Sequence, residues 1–513
     1  MNIARWPLLV VLIGLGAVRA SGYLVYAAAS LPSPLETFHL EAKMVLLAYR
    51  AELGETLYPA WRDYPHVTNF YGPIYFGSVG LIGRALGADI PGLFRIGRAL
   101  SFGSGLLTSM IVGFVAARRY GRISGIAGGI VSLGSAPMLG FSVMVRPDLM
   151  AEFLGVAGFV LAFDRSPVPR LLGAAALVLA VLTKQTTGIF LIAASLGWAL
   201  EGSWRRGFLL GLGVLTTLVA VVWTGTSLFE PNFAGSLAGE SKTPWDLGTL
   251  ARTLKRACML SPDILYFPAL GLVLWITGAT GRREGRLTAL SALLLAAGVG
   301  LSAKRGADLN YYLSLRVVEA LAVGALWRAW SISTNPRRSA VLASAALVGG
   351  LAMVPGTEHM LQQARIEQGK ARFLGGPDGV ELRSYFRSIC SMAANPKFHL
   401  LTDSGLFELY QGGRAAFGDP WLFRTMTETG RLNPTLIRDR IDSSYYDLIV
   451  TTAEIEHPSY DVYEFGLPKI LAERARERYV QVNYQAGLFL YRRRSEVKPG
   501  PSPDSSTAGQ SRP

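Results

Sequence analysis

The sequence contains little charge and little cysteine. Only 17% of its 513 residues are charged, whereas 50% are hydrophobic; a soluble globular protein of this length carries more charge. The two cysteines, Cys258 and Cys390, exclude a disulfide framework and a cysteine-based metal site, and leave at most one disulfide. The sequence also lacks internal repeats and a phosphate-binding loop of the Walker type. These features favour an integral membrane protein.

The formal net charge is nevertheless +14. The basic residues stand in short clusters between apolar runs, which is the distribution that the positive-inside rule predicts for a membrane protein. We therefore expect membrane lipids around this chain and no nucleic-acid partner.

Eleven apolar stretches are predicted to span the membrane, since about 20 residues cross about 30 Å of hydrocarbon. They are residues 7–29, 93–117, 123–141, 149–163, 170–183, 187–200, 207–227, 264–280, 287–303, 311–329 and 339–355. The first resembles a signal sequence, but its length and the spans that follow favour an uncleaved helix. A twelfth stretch, 71–86, is interrupted by Gly72-Pro73 and Arg84, and is either a span or an interfacial helix.

The charge of the loops predicts the orientation of the spans. With a cytoplasmic N-terminus and a non-crossing 71–86 segment, every dense arginine cluster lies inside, as the positive-inside rule requires. These clusters contain Arg118, Arg119, Arg122, Arg165, Arg170, Arg205, Arg206, Arg282, Arg283, Arg286, Arg328, Arg337 and Arg338. We therefore predict a multi-pass protein of a bacterial plasma membrane, with 71–86 interfacial or re-entrant.

The segments predicted to lie outside have a different chemistry, because carboxylates, lysines and aromatics are concentrated in them. They are residues 30–70 of a first outer loop that extends to 92, and residues 146–148, 183–185, 228–262 and 304–310. A transporter more often places its ionisable groups near the middle of the bilayer. Arg19 lies within the first predicted span, where a lone charge costs about 3 kcal/mol, so a partner inside the bundle is expected.

The composition changes after residue 355. Strand-like runs at 399–402, 448–452 and 479–482 alternate with helical stretches, which predicts a small α/β domain over 356–495, outside the cytoplasm. The tail 496–513, rich in proline, serine and glycine, is predicted to be disordered. The predicted fold class is an all-α polytopic membrane bundle of eleven or twelve transmembrane helices over residues 1–355, followed by this C-terminal α/β domain.

Several short motifs follow one another in the predicted outer segments. Glu41 precedes Gly54 and the Tyr-Gly-Pro-Ile-Tyr element at 71–75, and the segments 146–148 (Arg-Pro-Asp), 182–186 (Leu-Thr-Lys-Gln-Thr) and 306–312 (Gly-Ala-Asp-Leu-Asn-Tyr-Tyr) come later. In this order the motifs resemble the GT-C superfamily of glycosyltransferases, in the bacterial branch of protein O-mannosyltransferases and lipid A aminoarabinose transferases. The resemblance covers about residues 1–330. It implies a polyprenyl-phosphate sugar donor, a glycan, lipid or protein acceptor, and inversion at the transferred carbon.

The residue types fit this chemistry. An attacking hydroxyl needs a carboxylate within hydrogen-bond reach to take its proton; Glu41 is the predicted base, and Glu36 is its rival. The departing phosphate needs cations at short range, because preorganised charge stabilises a developing anion. Arg146, Lys184 and either Lys304 or Arg305 are predicted to supply it.

Five further assignments complete the predicted site. Asp148 is predicted to orient a substrate as part of the catalytic set, and Gln185, Asn310, Tyr311 and Tyr71 are predicted to bind the substrate. Each type also has a structural explanation: an aspartate before a span caps a helix, and a tyrosine at that depth lies at the membrane interface. The sequence leaves these alternatives open, as it does for Glu41 on the wet face of an amphipathic helix and for Lys184 snorkelling to the interface.

One departure from the resemblance concerns metal. Many members of the superfamily carry a pair of acids in the first loop, whereas His39-Leu40 precedes Glu41 here. Use of Mg²⁺ or Mn²⁺ is therefore an open alternative, and no metal ligand is predicted. The sequence favours a glycosyltransferase; the alternatives are a transporter or flippase of lipid-linked sugars and a non-catalytic member that binds partners.

Overall fold

A computed structural model of the chain describes residues 6–33, 36, 40–239, 245–304, 309–377, 379–412, 415–457, 459–460 and 466–496. The chain forms two compact units. The first, called here the membrane unit, comprises Met1–Tyr58 and Asn69–Phe373; the second, the C-terminal unit, comprises Pro59–Thr68 and Leu374–Pro513. The predicted disordered tail after residue 496 lies outside the described residues, as do His39 and residues 305–308.

Sixteen helices are described in the membrane unit. They are α1 (Trp6–Ser30), α2 (Glu41–Leu53), α3 (Pro73–Leu86), α4 (Ile90–Tyr120), α5 (Arg122–Leu133), α6 (Ala136–Phe141), α7 (Asp148–Leu161), α8 (Pro167–Thr183), α9 (Gly188–Leu200), α10 (Trp204–Leu228), α11 (Phe233–Gly239), α12 (Leu247–Leu260), α13 (Asp263–Ile276), α14 (Gly285–Leu301), α15 (Leu315–Ser331) and α16 (Pro336–Gly375). Two 3₁₀ turns, Gln185–Thr187 and Leu309–Tyr312, precede α9 and α15.

The eleven predicted spans coincide with helices of this unit, and the predicted fold class is confirmed. By length and composition, five described helices can span a membrane, or six if α12 and α13, which meet at 89°, count as one broken span. Four shorter apolar helices accompany them. The stretch 71–86 forms α3, and its interfacial position stays a prediction.

The boundary predicted at 355/356 falls inside α16, which continues without a break to Gly375. The two compact units divide after Phe373 instead. Composition changes at Pro355, which has no amide hydrogen to donate, but the helix continues beyond it, so the change in polarity does not mark the end of the element.

Local sequence explains several helix ends. The Asp89 carboxylate accepts a hydrogen bond from the Gly92 amide at 2.8 Å and caps α4. Gly54 ends α2 in the left-handed region, with φ of 73°, where a residue without a Cβ is favoured. Small residues let α4 and α5 approach closely, since a Cβ on Gly125 would lie 2.5 Å from that of Ala117.

Several ion pairs are buried among the helices of the membrane unit, and two of them join helices that are distant in the sequence. Arg19 on α1 pairs with Asp263 on α13, and both side chains are almost fully buried. Arg316 on α15 donates to Glu152 on α7 at 3.0 Å. The first pair confirms that Arg19 has a partner inside the bundle, as its depth in the first span predicts.

The C-terminal unit is a small α/β domain. Its helices are α17 (Gly379–Ala394), α18 (Gly405–Gln411), α19 (Pro420–Glu428), α20 (Thr435–Asp442) and α21 (Lys469–Arg478), and its strands are β1 (Leu400–Thr402), β2 (Leu448–Thr451), β3 (Tyr479–Gln485) and β4 (Leu488–Arg493). The sheet order is β1-β2-β4-β3, with β1 parallel to β2 and the other pairs antiparallel. The sequence did not predict β4, which a two-residue turn joins to β3.

Candidate functional site

Asp148 is the centre of a buried polar cluster in the membrane unit. It is the first residue of α7, where the positive end of the helix dipole favours a carboxylate. The side chain is only 2% exposed, so its charge is compensated by side chains and not by water. Pro147 is the N-cap residue, and no side-chain hydrogen bond caps the helix, so Asp148 supports α7 through the helix dipole and not as a cap.

Three side chains from separate segments contact this carboxylate. The Lys184 ammonium donates to Oδ1 at 2.5 Å, the Arg146 Nε donates to Oδ2 at 3.1 Å, and the Asn310 amide donates to Oδ1 at 3.4 Å. We call these four residues the Asp148 cluster. The structure thus brings together four of the predicted site residues, from positions up to 164 apart in the sequence (310 minus 146).

Lys184 lies at a break between two helices. It ends α8 in extended conformation, and its amide still donates to the Ala180 carbonyl at 2.9 Å. Burial, the largest single cause, lowers the pKa of the Lys184 ammonium, but the Asp148 carboxylate together with Tyr71 and Tyr311 raises this pKa above its ordinary value. Lys184 therefore stays protonated inside the protein, as a group that binds phosphate must.

Other predicted residues surround the Lys184 ammonium. It lies 5.6 Å from the centre of the Tyr311 ring, and Tyr71 and Tyr311 both interact with it electrostatically. Lys304 is close enough that burial and then the charge of Lys184 lower the Lys304 pKa. Among the described residues, Lys184 and Arg146 contact the Asp148 carboxylate and Lys304 lies near Lys184; cations this close together favour an anionic ligand.

Gly72 lets the first outer loop reach the Lys184 segment. A Cβ at this position would lie 1.5 Å from the Leu182 carbonyl oxygen, so no other residue fits without movement of the backbone. Next to this contact, the Gln185 side chain donates to the Phe70 carbonyl at 2.5 Å. The Tyr58 hydroxyl donates to the carbonyl of Tyr71 at 2.8 Å. In this way the structure places Gln185 as a support of the loop that carries Tyr71.

Tyr75, from the same loop element, supports the Arg146 backbone. Its hydroxyl lies 3.0 Å from Ser101 Oγ and donates to the Gly97 carbonyl at 2.9 Å. Ser101 Oγ in turn donates to the Arg146 carbonyl at 3.1 Å. The Tyr-Gly-Pro-Ile-Tyr element therefore packs against both segments that supply the cations of the Asp148 cluster.

Glu41, the predicted base, is fully buried and paired with Arg98 on α4. Arg98 donates from Nε and Nη2 to the two carboxylate oxygens at 2.9 and 2.8 Å, a bidentate arrangement of high geometric specificity. The Val145 amide donates to the same carboxylate at 2.9 Å. Glu41 thereby fixes the backbone just before Arg146, and its role as base stays a prediction.

Glu36, the rival base, precedes the first turn of α2 in the chain. Its carboxylate accepts a hydrogen bond from the Ala42 amide at 2.8 Å. This contact satisfies one of the free amides at the first turn of a helix. The structure gives Glu36 a helix-supporting contact and does not place it among the residues that contact Asp148.

A cavity of about 40 Å³ adjoins the Asp148 cluster. Its polar lining comes from Asp148, Lys184, Thr186, Asn310 and Tyr311, and its apolar lining comes largely from α14. This volume holds a small group, because pockets for larger organic ligands measure about 300–1,000 Å³. The cavity is therefore a small subsite beside the Asp148 carboxylate and the Lys184 ammonium.

Several charged residues near this site were not predicted from the sequence. Arg98, Glu152 and Arg316 are buried, and Arg316 also donates to Ser109 Oγ at 3.2 Å. A signal for all three was available, since each lies within a predicted span, where a charge requires a buried partner. Glu152 also follows Asp148 by one helical turn and shares its face of α7.

The described residues contain no group of three or more His, Cys, Asp or Glu side chains that could hold a metal ion. The use of Mg²⁺ or Mn²⁺ therefore stays a prediction without assigned ligands. Both Cys258 and Cys390 are free thiols.

Comparison with known proteins supports the fold. No family model matches the sequence, and no curated protein matches it. ArnT from Cupriavidus metallidurans bound to undecaprenyl phosphate is 15% identical, with a TM-score of 0.57 over 92% of this chain and 97% of that chain. Its apo form gives a TM-score of 0.56 with 15% identity over 92% and 96% of the two chains.

An archaeal structure has a similar fold. AglB, the oligosaccharyltransferase of Archaeoglobus fulgidus, in complex with an inhibitory peptide and a dolichol-phosphate, is 13% identical, with a TM-score of 0.51 over 97% of this chain and 75% of that chain. At this level of identity the likeness concerns the fold. The predicted GT-C fold is confirmed.

Proposed function

We propose that this chain, a membrane protein with the GT-C fold, is a glycosyltransferase that moves a sugar from a polyprenyl-phosphate donor to an acceptor outside the cytoplasm. The observation that carries the proposal is the Asp148 cluster, in which buried cations from separate segments converge beside a cavity. ArnT is solved with undecaprenyl phosphate and AglB with dolichol-phosphate. Both molecules are polyprenyl phosphates without a sugar, the carrier that transfer from the predicted donor class would release.

The cations of the cluster would bind the phosphate of the donor. Lys184 and Arg146 now donate to Asp148, and an incoming phosphate oxygen would share these donors. As the bond between the sugar and the phosphate oxygen breaks, the phosphate keeps the electron pair, and the two cations and Lys304 stabilise its charge. Asn310 and Tyr311 would shape the donor pocket.

A carboxylate would take the proton of the attacking hydroxyl while its oxygen bonds to the sugar carbon. Glu41 remains the proposed base and Glu36 its rival, with Asp148 orienting the donor or the acceptor. Arg98 and the Val145 amide occupy the Glu41 oxygens, so this role requires Glu41 to keep a free lone pair towards the acceptor. Direct displacement with one base inverts the sugar carbon.

The acceptor is proposed to be a glycan, a lipid or a protein of the cell envelope. Mass spectrometry of envelope glycans from cells with and without the gene would detect the loss of one sugar from a defined product. Complementation with Lys184→Met should leave the glycan incomplete, whereas Lys255→Met should restore it. Lys255 is a matched control because it is exposed on α12 and does not line the cavity.

The transporter alternative predicts a different product. Buried ion pairs such as Glu152 with Arg316 are found in transporters as well as in enzymes. A transferase releases free polyprenyl phosphate, whereas a flippase leaves the bond between sugar and phosphate intact. Purified protein that releases no polyprenyl phosphate from any sugar-loaded donor, but exchanges the donor between leaflets, would contradict the transferase.

A further inference from the structure

A large cavity lies at the end of the membrane unit opposite to the Asp148 cluster. Four segments of the chain line it, each at a helix end or in the turn between two helices. The lining residues are Arg119, Phe163, Asp164, Arg165, Arg170, Trp198, Glu201, Arg206, Arg282, Arg283, Glu284 and Arg286. We call it the arginine cavity. α7 begins at Asp148 and ends beside Phe163, and α8 begins before Arg170 and ends at Lys184, so the helices connect the two sites end to end. The cavity measures about 640 Å³, the size of a ligand pocket.

Positive charge in this cavity exceeds negative charge. Seven arginines and three carboxylates line it. The carboxylates engage three of the arginines: Glu284 pairs with Arg119 and Arg282, and Glu201 pairs with Arg286. Within the described part of the chain, the other four lining arginines form no ion pair with a carboxylate. A concave site with this surplus attracts an anion.

The existing contacts hold part of the lining in place. The Arg286 guanidinium lies 4.2 Å from the centre of the Phe163 ring and 5.4 Å from that of Trp198. Glu284 is buried between its two arginines. Stacked and paired guanidinium groups keep a fixed orientation, and a planar guanidinium with fixed orientation is suited to bidentate binding of phosphate oxygens.

The surface beside the cavity is apolar. Leu171 is 72% exposed, Trp204 63% and Phe208 60%, and they follow or flank the lining residues on α8 and α10. In a membrane protein, side chains exposed to this degree on apolar helices face lipid tails. A ligand with a phosphate headgroup and hydrocarbon chains would therefore contact the arginines with its headgroup and the apolar surface with its chains.

We propose that the arginine cavity binds the phosphate-bearing headgroup of an anionic membrane lipid. The predicted orientation places this cavity on the cytoplasmic side, where basic pockets between transmembrane helices bind anionic headgroups. The inference is independent of the proposed transfer reaction, since it uses no residue of the Asp148 cluster. Free inorganic phosphate has the same anionic chemistry but does not use the apolar surface.

Native mass spectrometry of the full-length protein in detergent tests this proposal. Dioleoyl phosphatidylglycerol should bind at least about tenfold more tightly than dioleoyl phosphatidylcholine, because it adds hydrogen bonds between guanidinium groups and an uncompensated phosphate. The variant R165Q/R283Q should lose at least about tenfold in phosphatidylglycerol affinity. Both arginines are exposed and outside the ion pairs of the cavity, so the fold should remain intact, as thermal unfolding will show.

The matched control is R205Q/R337Q, which removes two exposed arginines from the same set of predicted inner loops but outside the cavity lining. It should change the affinity by less than about twofold. Equal losses of phosphatidylglycerol affinity in both variants would show that general surface charge causes the effect, and would contradict a binding site in the arginine cavity. Inorganic phosphate that displaces the lipid at equal concentration, or wild-type protein with no preference for phosphatidylglycerol, would overturn it as well.

Discussion

At one end of the membrane unit, the neighbouring Arg146 and two side chains from distant segments, Lys184 and Asn310, converge on the single carboxylate of Asp148. At the other end, seven arginines face three carboxylates around an open cavity. Charges that pair with one another can be packed without water, and the cavity at the Asp148 end is accordingly small. Unpaired charges need solvent or a ligand, and the space at the arginine end is accordingly large. Lys184 and Arg146 both pair with Asp148, whereas four of the seven cavity arginines pair with no carboxylate among the described residues, and this distinguishes the two ends.

Removing a cation should have the largest effect at the Asp148 end. We expect Lys184→Met to reduce sugar transfer by about 100-fold or more, because it removes a buried donor aimed at the developing phosphate charge. Undecaprenyl phosphate binding to the purified protein should fall as well. R165Q/R283Q should leave both quantities within about twofold of wild type. Similar losses from the two changes would show that the ends do not differ in function.

Variants of the Glu41–Arg98 pair distinguish a structural role of Glu41 from a catalytic one. Glu41→Gln leaves a buried guanidinium without its counter-charge and should destabilise the protein by about 3–5 kcal/mol in unfolding experiments. The double variant Glu41→Leu with Arg98→Met removes both charges and should recover most of that stability. If Glu41 is the base, this stable double variant stays inactive. Recovery of transfer would show that transfer needs neither Glu41 as base nor its contact with the Val145 amide.

Gly72 offers a test of how closely the first loop must pack. Gly72→Ala places a Cβ on the Leu182 carbonyl, and we expect a loss of stability of about 1–3 kcal/mol together with a displaced Lys184 segment and reduced transfer. Gly77→Ala is its control on the same helix, since nothing lies within 4 Å of the added Cβ. Equal behaviour of the two variants would contradict the packing described above.

The smallest expected effect is a difference in pH dependence between the two ends. Burial and the charge of Lys184 lower the Lys304 pKa, so Lys304 loses its proton at a lower pH than an ordinary lysine. Above about pH 8 a phosphate monoester already carries its full charge, and undecaprenyl phosphate binding should weaken a few-fold as the pH rises further.

Two comparisons complete this measurement. In Lys304→Met the alkaline loss of undecaprenyl phosphate binding should disappear. Phosphatidylglycerol binding at the arginine cavity should stay constant over the same range, because guanidinium groups keep their protons. A parallel alkaline loss for both lipids would assign the effect to the bilayer or the detergent.

The sequence predicts the positions of the helices well and their partners poorly. Apolar length and loop charge place the spans, because both are local properties of the chain. The convergence of Arg146, Asp148, Lys184 and Asn310 was expected from the shared side of their loops. Which atoms meet depends on which helices are neighbours, and local patterns do not contain that information.

Several misses have the same cause. Arg98 is one of many arginines in the sequence, and only the neighbouring positions of α2 and α4 identify it as the partner of Glu41. The strand β4 was missed because Leu488–Arg493 is short and ends in arginines. Ala486 and Gly487, both with positive φ, form the tight turn that pairs it with β3.

The pairing of Arg19 with Asp263 has a consequence for biosynthesis. The two residues are 244 positions apart, so the ribosome completes the first span long before the partner exists. An arginine at the centre of a helix costs about 2.5–3.5 kcal/mol on translocon insertion scales. Until α13 emerges, the first helix must enter the bilayer with an uncompensated charge or wait beside the insertion machinery. Assembly of the bundle therefore depends on the order in which its helices are made.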